Sequence, residues 1–276
     1  MAATQEIGRK SATATTSWGA KRRVSPRATN AIRIGFALGA MALWEGVSRS
    51  GLLLHDVVPS LVDIVAAMGR LLVNPAFYAN LEITAWEVAA SLAVGAAAGI
   101  FAGIALGANK FLSRAYEPYV YYLAPTPRII FFPVMIMWFG VGVASKIALG
   151  ALSCFFTVAL STAAGMRGID PVLIRVGKTF RATPWQMAVK IQLPAMRAPV
   201  LNGVRLGFGT AVITALLAET KLSNQGLGFM TMQIYSHFDM ASLYGLLAIV
   251  FLLAGAGNML IGRLTLGAGR GASSQG

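Results

Sequence analysis

Acidic residues are scarce in this chain. Ten Asp and Glu face 23 Lys and Arg, and all charged residues together make up only 12% of the 276 positions. A soluble globular domain carries about 25% charged residues, so a water-soluble fold of this composition would lack the polar surface it needs. Cysteine is scarcer still: the single Cys154 lies inside an apolar run, which excludes a disulfide framework and a cysteine-rich metal site. It reads as a small buried hydrophobe. Only two histidines occur, His55 and His237, too few for a catalytic cluster that needs a base beside a nucleophile. The nearest approach to a phosphate loop, GVGVASKI at 140–147, lacks the glycine before the lysine. The chain is therefore expected to have no catalytic residue, no metal site and no nucleotide site of its own. Internal repeats, heptads and low-complexity tracts do not stand out either.

What the chain has in abundance is apolar sequence, 56% of its residues. Several runs reach the ~20 residues that span a hydrocarbon core. Lipid offers backbone groups no hydrogen-bond partner, so those runs are expected to be helices. The fold class this implies is all-α, a polytopic membrane protein of about six transmembrane helices. The formal charge of +13 raises the question of nucleic acid, and its distribution answers it. Cations cluster in an N-terminal tail (Arg9, Lys10, Lys21, Arg22, Arg23, Arg27), in a short loop (Lys110, Arg114), and in and around residues 167–205 (Arg167, Arg175, Lys178, Arg181, Lys190, Arg197, Arg205). Segments on the other side hold only Arg49, Arg70, Lys146 and Lys221. This asymmetry is the positive-inside pattern; it places both termini and the 167–198 loop in the cytoplasm and leaves no role for nucleic acid. Residues 1–31, basic and Ser/Thr/Ala-rich, are expected to be a disordered tail, 32–263 a membrane domain, and 264–276 a short cytoplasmic tail.

Along the chain the spans are expected near 32–47, 83–106, 116–140, 147–166, 200–218 and 242–261. A surface amphipathic helix is expected from Leu61 to Leu72. In the second span Gly95, Gly99, Gly103 and Gly107 recur every fourth residue and so share one helical face, the kind that lets another helix approach closely. Gly203 and Gly207 repeat the device in the fifth span. The third span is interrupted by Pro125, Pro127 and Pro133. Broken helices at membrane depth are tolerated where they are buried in protein or border a cavity. Tyr122 and Arg128 there, with Glu219 at the end of the fifth span, are candidates for a solute pathway. Snorkelling of Arg128 to the cytoplasmic edge and a hydrated structural role for Glu219 are the competing readings. His55, Asp56, His237 and Asp239 fall in polar segments on the outer side.

The stretch DPVLIRVGKTFRATPWQMAVKIQLPAMRAP, residues 170–199, is basic and amphipathic between two very apolar spans. Asp170–Pro171 and Thr183–Pro184 each pair a capping residue with a proline at the first helical position. Gln186, three residues after Thr183, completes a capping box. Two short helices are expected, about 171–180 and 184–192, with Pro194 discouraging continuation and Pro199 marking entry to the next span. Trp185, Met187, Ala188 and Ile191 either dock into another protein or pack on the chain's own helices.

TPWQMAVKIQLPAMRAPVLNGVRLGFGTAVITALLAE (183–219) resembles the cytoplasmic coupling loop, or EAA loop, of permease subunits from bacterial ATP-driven importers, in the branch for nitrate, aliphatic sulfonates and taurine. VPSLVDIVAAM (58–68), APTPRIIFFPVMIMWFGVGVASKIALGAL (124–152) and AETKLSNQGLGFMTM (218–232) are similar in the same order, so the resemblance covers most of the chain from about Trp44 to Leu260. It implies a homodimeric permease in the bacterial inner membrane, in contact with lipid, two cytoplasmic ATPase subunits that bind ATP and Mg, and a periplasmic solute-binding protein. It further implies that Phe180, Arg181, Ala182, Thr183, Pro184, Trp185, Gln186, Met187, Lys190, Ile191, Leu193 and Pro194 meet the ATPase. The loop departs from the family pattern where Glu-Ala-Ala is replaced by Arg175, Val176 and Gly177, and where Arg181 stands at a bend expected to hold glycine. An arginine there is expected to keep its backbone out of the left-handed region. A secondary transporter or channel is the alternative, and it would need intramembrane charges or repeats.

Overall fold

The computed structural model describes residues 26–50 and 57–270, and it divides into two compact units, Met1–Leu53 and Leu54–Gly276. The first unit contributes one helix, α1 (Pro26–Arg49). It begins six residues before the expected boundary at 32, because Pro26 is tolerated in a first turn and nothing between it and Ile32 breaks a helix. Most of the expected N-terminal tail, and His55 and Asp56, lie outside the described residues.

The second unit opens with α2 (Leu61–Val73), capped by Ser60 and burying Ala67 and Leu71. Asn74 then ends α2 and caps α3 (Pro75–Ala108). At 34 residues, α3 is about 51 Å long, well beyond a ~30 Å hydrocarbon core. The proline-rich third span is broken. α4 (Lys110–Leu123) and a 3₁₀ turn (Arg128–Phe131) continuing into α5 (Phe132–Phe139) meet at a bend of 95°. Gly140, at φ +78°, turns the chain into α6 (Val143–Arg167). After the 168–196 segment come α10 (Arg197–Leu222), α11 (Leu227–Ser236) and α12 (Met240–Arg270). The last helix runs seven residues past the expected boundary at 263. Among the described residues five helices are long and apolar enough to cross a membrane, or six if the bent pair counts as one span.

Helix α6 sits between α3 and α10, and the reason is a row of small residues on each side. The glycine row on α3 extends upstream as Glu87, Ser91, Gly95, Gly99, Gly103 and Gly107, every fourth residue. It meets a matching row on α6 in register: Lys146, Gly150, Cys154, Val158, Thr162 and Met166. A Cβ added at Gly99 would fall 2.8 Å from the Val158 Cβ, and one at Gly103 would fall 2.5 Å from the Thr162 Cβ. Two interlocked four-residue ridges are a common way for helices to pack closely. From the other side, Gly203 and Gly207 of α10 receive Ser161 and Cys154. This contact is antiparallel, whereas α3 and α6 run parallel. The C-terminal ends of α3, α6 and α12 and the start of α10 therefore share one end of the bundle with the 168–196 segment. We call this the loop end and its opposite the far end.

Candidate functional site

The 168–196 segment is rooted by Met196, 1% exposed, which packs with Met166 and Ile169. Helix α7 (Pro171–Thr179) starts as expected, with the Val172 N–H donating to Asp170 Oδ1 at 2.8 Å. It ends in a bonded pair typical of a Schellman cap: Ala182 N–H to Gly177 O and Arg181 N–H to Lys178 O, each 3.0 Å. Closing it puts Arg181 at φ +52°. The expectation that arginine avoids the left-handed region is thus wrong here. The two hydrogen bonds and the compact turn they close outweigh a cost of about 1–2 kcal/mol.

The capping box forms in full. The Thr183 N–H donates to Gln186 Oε1 at 3.0 Å and the Gln186 N–H to Thr183 Oγ1 at 3.3 Å. Helix α8 (Pro184–Gln186) then passes through a π-helical turn (Met187–Gln192) into α9 (Leu193–Ala195). Pro194 does not stop the helix, contrary to expectation. The π turn shifts the hydrogen-bond ladder just before the proline, where the missing N–H would otherwise strand a carbonyl four residues back. Pro199 falls in the first turn of α10, as expected.

The second helix packs some of its side chains on the chain's own fold and leaves others exposed. Met187 and Ile191 turn inward onto Gly177, whose added Cβ would lie 2.6 Å from Ile191 Cδ1 and 2.7 Å from Met187 Cε. The glycine is what lets the two short helices touch. Phe180 (82% exposed) and Trp185 (76% exposed) point away from that contact. Around them Arg175, Lys178, Arg181 and Lys190 are exposed, with Pro184, Gln186, Leu193 and Pro194 alongside. The loop end thus presents two large exposed aromatics on a platform of capped short helices rich in exposed cations.

At the far end the structure assembles a polar cluster that the sequence reading missed. Glu219 is 1% exposed. It accepts from the Gly228 N–H (2.6 Å) and from Thr84 Oγ1 (2.7 Å). Thr84 Oγ1 accepts the Leu227 N–H, and Asn80 Oδ1 accepts the Gly226 N–H. Gly226 offers no side chain to cap α11, so side chains from α3 and α10 satisfy its first donors instead. Beside them Lys146 (2% exposed) lies 2.5 Å from Glu87 Oε1 (0% exposed) and donates to Ser223 Oγ at 3.0 Å. Glu219 thus occupies a packed junction rather than a hydrated edge. The sign of this cluster was visible in the sequence: a glutamate inside one apolar span and a lysine at the mouth of another need partners.

The three pathway candidates do not converge. Tyr122 is 79% exposed, beside Ser113, Arg114, Glu117 and Tyr121 around a surface cavity of about 430 Å³. Glu117 is paired there with Arg167 at 2.6 Å, tying α4 to the end of α6. Arg128 lies at the 95° bend, its Nη2 donating to the Ala124 carbonyl and its guanidinium over the Phe156 ring at 5.9 Å. Neither is ion-paired with Glu219 among the described residues. At the far end, Asp239 caps α12 through the Ser242 N–H at 3.0 Å. Hydrogen bonding from Ser242, with Arg70 nearby, holds its carboxyl below the usual range. His237 closes α11.

Residues 95–266 match the family model described as binding-protein-dependent transport system inner membrane component. The chain belongs to this family. It is 32% identical over 192 residues, 70% of each protein, to a putative aliphatic sulfonates transport permease protein, SsuC, of Bacillus subtilis (strain 168). It is 30% identical over 176 residues to the taurine transport system permease protein TauC of Escherichia coli (strain K12), covering 64% of this chain and 63% of that protein. Among solved structures, the MetNI methionine ABC transporter in inward-facing conformations matches with a TM-score of 0.63 at 20% identity, covering 68% of this chain and 94% of the matched chain. At that identity the likeness speaks for the fold. The protein is a multi-pass inner-membrane permease of an ATP-driven importer.

Proposed function

We propose that this permease acts as a homodimer that carries a small anion, an aliphatic sulfonate, taurine or nitrate, inward across the membrane. A periplasmic solute-binding protein delivers the solute, and two cytoplasmic ATPase subunits hold ATP with its magnesium. The permease itself performs no chemistry. The loop end faces the cytoplasm and the far end the periplasm. Supporting that orientation, Lys110, Arg114, Arg167, Arg175, Lys178, Arg181, Lys190, Arg197, Arg205 and Arg263 all gather at the loop end. Closure of the ATPase dimer moves the loop, and the bundle answers as a rigid body through Met196 and the α6 contacts; the pathway then opens alternately to each side. The substrate class rests on the sulfonate and taurine permeases that the chain resembles.

The observation that carries the coupling role is the platform itself: exposed Trp185 and Phe180 on capped helices too short to stand alone. Buried aromatic anchors dominate protein interfaces, and truncating one commonly costs about 2 kcal/mol or more. Affinity purification of the permease from solubilised membranes is expected to bring an ATPase subunit with it. Thr183→Ala combined with Trp185→Ala is expected to reduce that recovery roughly tenfold or more. Undiminished recovery by the double variant would remove the docking role.

A further inference from the structure

Arg128 is unusual among the charges of the bundle, being partly buried and in no ion pair among the described residues. Its Nη2 bonds one backbone carbonyl, that of Ala124, and its Nε is buried with no hydrogen-bond partner. The ion pairs among the described residues are Arg49–Glu45, Lys146–Glu87 and Arg167–Glu117, and Arg128 is in none of them. Its depth is equally unusual. Phe156, over which the guanidinium sits, is the fourteenth of the 25 residues of α6, so Arg128 lies level with the middle of a membrane-spanning helix. That position, far from both ends of α6, argues against snorkelling, which requires the charge to reach a membrane edge. A bare arginine facing lipid at that level is untenable; such residues face a water-filled cavity or a partner.

Its setting is the bend where the third span breaks, and the side chain is only partly buried. A guanidinium offers five donors in a planar fork that matches two oxygens of an oxyanion, and little of that capacity is used here. We propose that Arg128 is the anion-selecting residue of the solute pathway, binding the sulfonate or other oxyanion head of the solute in two-pronged fashion midway across the membrane. The proposal rests on the reading of this permease as an importer of small anions. Charge at this position does two things: it makes passage of an anion favourable, and it repels cations. The cavity between α3, α10 and α12 does not compete for this role. Its volume is about 380 Å³, and Leu81, Val88, Phe208, Leu216, Val250 and other apolar groups line it almost throughout, offering an anion nothing to pair with.

Two measurements test the assignment. In the first, saturation-transfer NMR compares ethanesulfonate with its uncharged counterpart, ethyl methyl sulfone, on the full chain in lipid nanodiscs. Ethanesulfonate is expected to bind and the sulfone not; equal signals from the two overturn the proposal without any variant that must fold. In the second, ATP-driven uptake of ethanesulfonate by the permease–ATPase–binding-protein complex is compared for Arg128→Gln and Arg128→Lys. The glutamine variant is expected to lose roughly tenfold to a hundredfold in uptake, the range for a charged hydrogen bond, while still co-purifying with the ATPase. The lysine variant is expected to recover a large part. Wild-type uptake by Arg128→Gln, or equal loss in both variants, overturns the assignment and leaves the transport reading intact. Charge-dependent binding in nanodiscs with no ATP-driven uptake by the wild-type complex would do the reverse.

Discussion

Lys146→Met is expected to lower the stability of the permease by about 3–5 kcal/mol, because it strands Glu87 as an uncompensated charge between α3 and α6. Native proteins are stable by only about 5–15 kcal/mol, so the variant should unfold far below the wild-type temperature in detergent. Part of the loss reaches beyond the pair, since Lys146 also holds Ser223 and with it the segment that enters α11. The expected signature of an ion pair rather than mere packing is recovery in the double variant Glu87→Leu, Lys146→Met, which removes both charges. If the double variant is as unstable as the single one, the lysine acts through its contacts with the 223–226 segment instead. Thermal unfolding followed by fluorescence-detected size exclusion separates these outcomes.

Gly103→Leu is expected to do comparable damage one end of the same seam away. Its Cβ would meet Thr162 Cβ at 2.5 Å and the Ala159 carbonyl oxygen at 2.6 Å. The second of these is backbone, which cannot swing aside, so α3 must move away from α6. Overpacking typically costs about 1–3 kcal/mol and more where backbone is forced to shift. Parting the ridges at Gly103 also loosens Gly99 and Gly107, so the loss should exceed that range. Gly255→Leu on α12 is the matched control: nothing lies within 4 Å of a Cβ added there. Equal yields of folded protein from the two variants would show that the α3–α6 seam is not what holds the bundle together.

Much of this fold was legible in the sequence because its cause is local or periodic. Four glycines at intervals of four mark a helix face without any knowledge of the partner, and α6 does fill that face. Asp170, Thr183 and Gln186 encode their caps within three residues, and those caps form. What the sequence concealed depends on distant groups meeting. The glycine row continues upward to Ser91 and Glu87, but polar side chains there do not look like a packing ridge until Gly150 and Lys146 are seen opposite them. Glu219 reads from sequence as a pathway residue or a hydrated end of a span, because its partners, Thr84 and Gly228, come from elsewhere in the chain. Arg181 and Pro194 were misread for a related reason. The rule for each residue taken alone gives way when neighbouring hydrogen bonds close around it.

The central claim is that the platform at the loop end couples solute movement to a separate ATPase. Uptake of ethanesulfonate into proteoliposomes holding the permease, with the binding protein outside and ATP inside, tests it most directly. Concentrative uptake is predicted when the ATPase subunits are present and none when they are left out. Uptake at the full rate without them would contradict the account.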